Sequence, residues 1–353
     1  MTTPVPPATS PAAPPTTPAY LPAGPEPAPQ ARRAQLALLA AHLTPRDQWM
    51  IAMVHEHRVL TSRQLAALGF GHERVARRRL ATLTHELRVL DRFRPLQRRG
   101  NGSAPEHYVL GPGGAAYLAA SLDMNLRAFG YSRQRAHQIA VSAHLPHTVG
   151  CNDVFTRIAA AHRTDPAGGR LAAWWSERRC LRLWQDLARP DGYGHYTLAP
   201  AGTEPAEARN LRFFLEYDTG TEALGRLPAK LPGYARLAAA TSLTPVLFYL
   251  PNAQREEHLH RLLAADPPRV PVATTSAEAL RAAGCGPSGP VWRAYTGRTR
   301  IPGRAVKRHL LIDLDHLVPA ATAGRTAAGA AAAPTWWIEP PAPLPPADPH
   351  ARR

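Results

Sequence analysis

The chain has 353 residues, room for two domains of ordinary size, and carries 42 Lys plus Arg against 26 Asp plus Glu, a net charge of +16. No apolar run reaches the roughly 18 residues of a membrane span, and the N-terminus lacks the basic-then-apolar order of a signal peptide. Cys151, Cys180 and Cys285 match no zinc-binding spacing, so a soluble protein of the reducing cytoplasm is expected, with a polyanion such as nucleic acid as its partner.

Eleven of the first 30 residues are Pro and most others are Ala or Thr, so residues 1–34 read as an unfolded arm. Gln35 to Ala41 reads as a short lead-in helix. The first clear unit, residues 43–122, opens at Thr44-Pro45-Arg46-Asp47, an N-cap followed by Pro at the first helical position. Trp49, Met50, Met53 and Val54 then form an apolar stripe. A second helix starts at Thr61-Ser62 and ends at Gly69, and a third runs from Glu73 to Leu87 with Val75, Leu80, Leu83 and Leu87 inward. Strands at Leu87 to Phe93 and Glu106 to Leu110 flank the turn Arg98-Arg99-Gly100-Asn101-Gly102. Three short helices and a hairpin predict a winged helix-turn-helix. Arg74, Arg77, Arg78 and Arg79 would enter a major groove, and Arg98 and Arg99 at the wing tip would reach phosphate or the minor groove of double-stranded DNA. Between Thr44 and Leu110 there are 12 Arg and 6 acidic residues, more bias than a solvated face needs, although winged helices also serve in dimerisation and docking.

A linker follows from Met124 to about Ser132, then helix from Arg135 to Ala161 in two pieces broken at Pro146. From Leu171 the pattern changes to strands at Leu171–Ser176, Cys180–Gln185, Leu211–Tyr217, Thr244–Leu250 and Val270–Thr274. Helices lie near Leu231–Ala240, Ala253–Ala264 and Ser276–Ala283. The fold class is α/β (α+β): a winged helix, then a mixed sheet flanked by helices over residues 135–284. A C-terminal extension covers 285–318 and an Ala- and Pro-rich disordered tail 319–353, in which Trp336-Trp337-Ile338 is the one adhesive spot. The arms are candidate attachment points for transfer or replication proteins.

The stretch from Arg189 to Asp218 holds the chemistry. Arg189-Pro190-Asp191-Gly192 reads as a turn, and Leu211 to Asp218 as a strand whose alternation puts Glu216 and Asp218 on one face and Tyr217 on the other. If the segments pair, Asp191 joins them, and three carboxylates repel unless a divalent cation holds them together. Taken singly, Pro-Asp-Gly is ordinary turn chemistry and Glu-x-Asp at a strand end is ordinarily solvated. Lys230 stands out because the chain has only one other lysine, Lys307. His55-Glu56-His57 and His258-Leu259-His260 have the His-x-His form of a metal site, but lie in helical surroundings where residues two apart face nearly opposite ways.

These residues together resemble the replication-relaxation family, whose second half is similar to relaxases on the restriction-endonuclease, PD-(D/E)xK, fold. The resemblance runs from about Leu43 to Gly284: the winged helix, Asn152-Asp153-Val154-Phe155, the strand from Trp174 to Glu177, Arg189-Pro190-Asp191-Gly192, Phe214-Leu215-Glu216-Tyr217-Asp218 with Thr219-Gly220-Thr221, and Lys230-Leu231-Pro232-Gly233-Tyr234. It implies that Asp191 and Glu216 are the two acidic residues of the motif, that Asp218 occupies the slot usually held by Lys, and that Lys230 is a migrated lysine. Asp191, Glu216 and Asp218 would then bind Mg2+ or Mn2+, with Glu177 as a further acidic contributor. The implied function is site-specific, metal-dependent DNA nicking in plasmid mobilisation or replication at a plasmid or mobile-element site. The alternatives are a DNA-binding regulator on a decayed nuclease fold and a transcription regulator whose second domain senses a ligand.

Overall fold

The computed structural model describes residues 29–95, 104–199, 208–297, 306–319 and 338–347. Helix α1 (Pro29–His42) begins inside the span read as an arm and leads into α2 (Pro45–His57). A capping box starts α2: Thr44 N donates to Asp47 at 2.8 Å, and Asp47 N returns a bond to Thr44 Oγ1 at 3.3 Å. Strand β1 (Leu60–Thr61) runs into α3 (Ser62–Gly69), started by the same reciprocal pair between Thr61 and Gln64. Next come α4 (Glu73–His85), β2 (Leu90–Phe93) and β3 (His107–Leu110), and the three short strands form an antiparallel sheet in the order β1-β3-β2. Helix α4 buries Ala76, Leu80 and Leu83, while Val75, expected inward, is 53% exposed. The buried set is spaced four and three apart, which defines one helix face; Val75 lies beside it. The turn carrying Arg98 and Arg99 lies outside the described residues.

Helices α5 (Pro112–Ser121), α6 (Leu126–Phe129) and α7 (Arg133–His137) lead to the long α8 (Leu145–Thr164), where Pro146 occupies the first turn. The expected break is therefore a helix start. Strand β4 (Arg170–Ser176) is followed by α9 (Glu177–Trp184), so the strand expected at Cys180–Gln185 is instead a helix, begun by the Ser176 side chain accepting from Arg179 N. The β-branched content there is nil, and Cys180 faces the core while Glu177, Leu181 and Arg182 are exposed. The sheet continues through β5 (Gly192–Leu198), β6 (Arg209–Tyr217), α10 (Arg226–Ala229), α11 (Leu231–Ala240), β7 (Val246–Leu250), α12 (Ala253–Ala265), β8 (Val272–Ser276), α13 (Ala277–Ala283) and β9 (Arg293–Ala294). Six strands lie in the order β4-β5-β6-β7-β8-β9. Strands β4 to β6 are antiparallel, β6 to β8 parallel, and β9 antiparallel at the edge, making a mixed sheet. On one face, Phe213 and Leu215 pack with Phe155 and Ile158 of α8; on the other, Phe214, Val246 and Phe248 pack with Leu231, Tyr234 and Leu237 of α11. The segment after α13 belongs to this core: Trp292 is fully buried and pairs with His309. Residues 338–347 lie against α2, where Trp49 Nε1 donates to Ala342 O at 2.7 Å.

The two units share one hydrophobic core, and polar contacts fasten them further. Glu56 of α2 is buried, and its Oε1 accepts from Ser176 Oγ at 2.8 Å and Arg179 Nε at 2.9 Å, while Oε2 accepts from Arg179 Nη2 at 2.8 Å. Burial alone would push this carboxyl up, but the Arg179 guanidinium and its other neighbours hold it down at about 2. His57 stacks on Trp174 at 3.7 Å, Asn152 Nδ2 donates to Val59 O at 2.8 Å, and Gln64 Nε2 to Val149 O at 2.9 Å. The Asn152 to Phe155 motif is thus a junction: Asn152 reaches the first unit while Phe155 stacks between Trp174 and Phe213. His55-Glu56-His57 has a structural role, as does His260, which shares Thr274 with Glu256.

Removing one partner of a buried ion pair strands the other's charge, which costs about 3–5 kcal/mol. Glu56→Ala should lose that much in urea unfolding at neutral pH, and the double substitution Glu56→Met with Arg179→Met should recover part of it. Because the Glu56 carboxyl is depressed from its ordinary 4.5, its contribution is present above that pH and fades as pH falls toward about 2. A loss under about 1 kcal/mol at neutral pH would remove the pair from this role.

Candidate functional site

The antiparallel register pairs Gly192 with Leu215 on β5 and β6, and Ser176 with Gly192 on β4 and β5. One residue beyond these pairs, Glu177, Asp191 and Glu216 stand at the same end of three adjacent strands. Asp191 N donates to Leu215 O at 3.1 Å, and its Oδ2 accepts from Tyr217 N at 2.7 Å, so the turn residue is locked to the end of β6. All three acids line one open cleft of about 950 Å³ together with His147, Asp218, Lys230 and Tyr234.

Glu216 is the most constrained of them. Its side chain is 1% exposed, and its two oxygens accept from different donors on one short stretch of chain: Lys230 Nζ to Oε2 and Tyr234 Oη to Oε1. Lys230 immediately precedes α11, whose first turn contains Pro232; Pro232-Gly233 begins the helix and does not break it. Gly233 is required by close approach, since a Cβ there would lie 2.3 Å from Leu187 O in the segment that leads to Asp191. The turn of the helix is therefore pressed against that segment, which directs Lys230 and Tyr234, four apart, at the same carboxylate. Burial pushes the Glu216 carboxyl up, the Asp191 charge adds to this, and Lys230 and Tyr234 oppose it, for a result of about 7. Burial pulls the Lys230 ammonium down, but Glu216 and Asp191 outweigh it and hold it above its usual range.

Asp191 has a further partner from outside the sheet. His147, in the first turns of α8, places Nε2 at 3.2 Å from Asp191 Oδ1, and its ring packs edge-on to Tyr217 at 5.7 Å. Burial lowers the imidazole's proton affinity, but the bond to Asp191 more than reverses that. Asp218 is engaged otherwise: Arg255 of α12 grips both its oxygens, with Nη2 at 3.1 Å from Oδ1, and Gly220 N donates to Oδ1 at 2.9 Å. Its pairing orders the Thr219-Gly220 turn and fastens it to α12. Tyr234, His147 and Arg255 were not singled out as site residues. The spacing of Lys230 and Tyr234 on one helix turn was the available signal for the first; nothing local marked the other two.

Asp191 and Glu216 fit a hard divalent cation. They are oxygen donors at neighbouring strand ends, the donor type that such a cation takes; burial is the main cause of the raised proton affinity of Glu216, and the Asp191 charge adds to it. All three acids already have partners on both oxygens; Asp218 differs in that a guanidinium, Arg255, grips both of its oxygens, whereas those of Asp191 and Glu216 are each met by a separate donor: Tyr217 N and His147, and Lys230 and Tyr234. Among the described residues, no group of three or more His, Cys, Asp or Glu side chains is disposed to hold a metal ion.

The basic residues divide as well. Arg74, Arg77 and Arg78 are exposed along α4, and Arg77 pairs at 3.5 Å with Glu73 one turn away. Arg79 turns inward: Nε donates to Asp47 Oδ1 at 3.0 Å and Nη2 to His42 O at 2.9 Å, bolting α4 to the start of α2. It is therefore a poor candidate for groove contact. Arg98 and Arg99 lie outside the described residues.

The sequence matches the replication-relaxation family over residues 51–247, more than half of the chain. No curated protein and no solved structure matches it. Among the described residues, no helix is long and apolar enough to cross a membrane.

The raised proton affinity of Glu216 has a consequence for stability. Between its ordinary 4.5 and about 7 the folded protein retains a proton that the unfolded chain has released, so this residue's contribution declines as pH rises through that window. Lys230, which faces it, has its affinity raised from 10.5 and stays protonated throughout. In EDTA, the Tm of the wild type minus that of Glu216→Gln should therefore fall from pH 4.5 to pH 7.5. A difference independent of pH would mean that Glu216 titrates in the ordinary carboxylate range.

Proposed function

The chain belongs to the replication-relaxation family, and from that premise we propose that it is a DNA-processing protein of plasmid or mobile-element replication and transfer, with a metal-dependent nicking centre at Asp191, Glu216 and Lys230. The observation that carries this reading is the Lys230 ammonium on the buried Glu216 carboxylate, beside Asp191 at the adjoining strand end. Two acids and a lysine at the ends of paired strands are the residue types of the restriction-endonuclease-like centre, with the lysine supplied from the helix after the strand.

Asp191 and Glu216 would hold Mg2+ or Mn2+, which when bound supplies charge to polarise a phosphodiester and to favour ionisation of the attacking hydroxyl. The chain's own residues do the remainder. Lys230 balances the buried carboxylate and sets a positive charge beside the cleft, where charge accumulates on the phosphoryl oxygens during substitution. Tyr234 fixes the rotamer of Glu216, and His147 fixes that of Asp191. Asp218 acts by positioning: with Arg255 it holds the turn that follows β6. The three-helix unit with its short antiparallel sheet serves as a winged helix, presenting Arg74, Arg77 and Arg78 to double-stranded DNA, and the shared core fixes that surface relative to the cleft.

A second reading is a DNA-binding replication regulator without cleavage. It is favoured by the engagement of Asp218 with Arg255 and by Lys230 already neutralising Glu216 in place of a cation.

Supercoiled plasmid carrying the gene's own flanking DNA, incubated with Mg2+ or Mn2+, should convert to open circle, and EDTA should stop the conversion. Asp191→Ala and Glu216→Ala should reduce the rate by at least about 100-fold with DNA affinity unchanged, whereas Asp218→Asn should retain measurable nicking. Tight binding with no open circle under either metal would select the regulator. In the same preparations, Arg74→Ala with Arg78→Ala should weaken DNA binding and lower the slope of log K against log salt by about 1–2. Loss of nicking with binding unchanged in that variant would separate α4 from DNA recognition.

A further inference from the structure

The segment 338–347 has no part in the nicking centre, yet it is held firmly to the first unit. Trp49 Nε1 donates to Ala342 O at 2.7 Å, Pro343 is buried, and Leu344 packs against the core that α2 shares with the rest of the protein. One end of the segment, Ile338 to Pro341, lies by His55, Phe129, Arg178 and Arg182 at the junction of the two units. The other end reaches α4: Pro346 and Ala347 line an open groove of about 960 Å³ with Arg46, Arg74, Val75 and Arg78.

We propose that residues 338–347 form one wall of a groove for the DNA backbone, with α4 as the facing wall, so that a segment more than 250 residues downstream in sequence is part of the DNA interface. The proposal rests on the reading of α4 as the DNA-facing helix. Its occupant is the phosphodiester backbone of double-stranded DNA, on the following grounds. Arg74 and Arg78 are exposed and make no ion pair among the described residues, so two guanidiniums face the groove with their forked donors free for phosphate oxygens. The acid in the groove, Asp47, is already committed to Arg79 and the N-cap of α2, which leaves the lining net positive. Among the described residues the facing wall contributes only Pro346 and Ala347, both exposed and uncharged, so no described residue on that side repels an anion. The segment is a wall and not a plug: its anchors are on α2, and the space between it and the arginines stays open.

Charge placed on the wall tests this without disturbing the anchors, because Ala347 is exposed. Affinity for one DNA duplex would be read by fluorescence anisotropy at low and at moderate salt for the full chain, Ala347→Glu, Ala347→Lys, and Arg74→Ala with Arg78→Ala, with thermal melting of each. Ala347→Glu should weaken binding by about 3- to 10-fold at low salt, Ala347→Lys should tighten it by about 2- to 3-fold, both effects should shrink as salt rises, and melting should not change. A chain ending before Ile338 should bind more weakly than the full chain. If both Ala347 variants bind like the wild type while the arginine variant weakens, the wall is overturned and α4 keeps its role. Tighter binding by the truncated chain would make the segment an inhibitory plug and overturns the proposal equally. If the arginine variant itself binds normally, the reading of α4 fails and the wall with it.

Discussion

A carboxylate that is 1% exposed at the end of a strand has to be compensated, and Glu216 dictates much of the architecture around it. Removing an ionised carboxylate from water costs several kcal/mol unless partners replace the lost hydration. The chain provides them from one place, the start of α11, and does so by closing the helix tightly onto the segment before β5. Gly233 permits that approach, Pro232 starts the helix, and Lys230 and Tyr234 fall one turn apart on the side that faces the strand end. Asp191, locked to the end of β6 by its bonds to Leu215 O and Tyr217 N, is close enough for its charge to be felt at Glu216. What results is a buried acid whose desolvation, and whose repulsion with Asp191, are only partly offset by a lysine and a tyrosine.

The second fixed relation is between the two units. A first unit tethered by a flexible linker could take any orientation relative to the cleft. Here α2 belongs to both units: Glu56 is bonded to Arg179 and Ser176, His57 stacks on Trp174, Gln64 joins α3 to α8, and Asn152 of α8 donates to Val59 O just after α2. Arg163 Nη1 adds a bond to Leu68 O at 2.7 Å. The exposed face of α4 therefore stands at a set angle to the cleft.

Much of this was legible in the chain. The capping pairs Thr44 with Asp47 and Thr61 with Gln64 are local chemistry, readable wherever a hydroxyl precedes an acid or amide by three positions. Period-2 alternation through Leu211 to Tyr217 gave both the strand and the opposite facing of Glu216 and Tyr217. The failures have equally local causes. Val75 and Ala76 are adjacent, and hydropathy favours the larger residue, while the geometry of the face favours Ala76. Cys180 to Gln185 is short and mostly apolar, as a buried strand is, yet the Ser176 cap made it helical.

Sequence by itself determined which groups are available: two acids in neighbouring segments, a rare lysine before a Pro-Gly helix start, and an arginine-rich third helix. These follow from spacing along the chain, which sets periodicity and caps. Tertiary structure alone decided their partners. Asp218 went to Arg255 and Arg79 to Asp47, which removed one acid from the cluster and one arginine from the groove face, while His147 joined Asp191 and residues 338–347 came to lie on α2. The physical reason is that burial makes charge pairing obligatory, and the nearest counter-charge in space, 37 residues away for Asp218 and 32 for Arg79, has no signature in the local sequence.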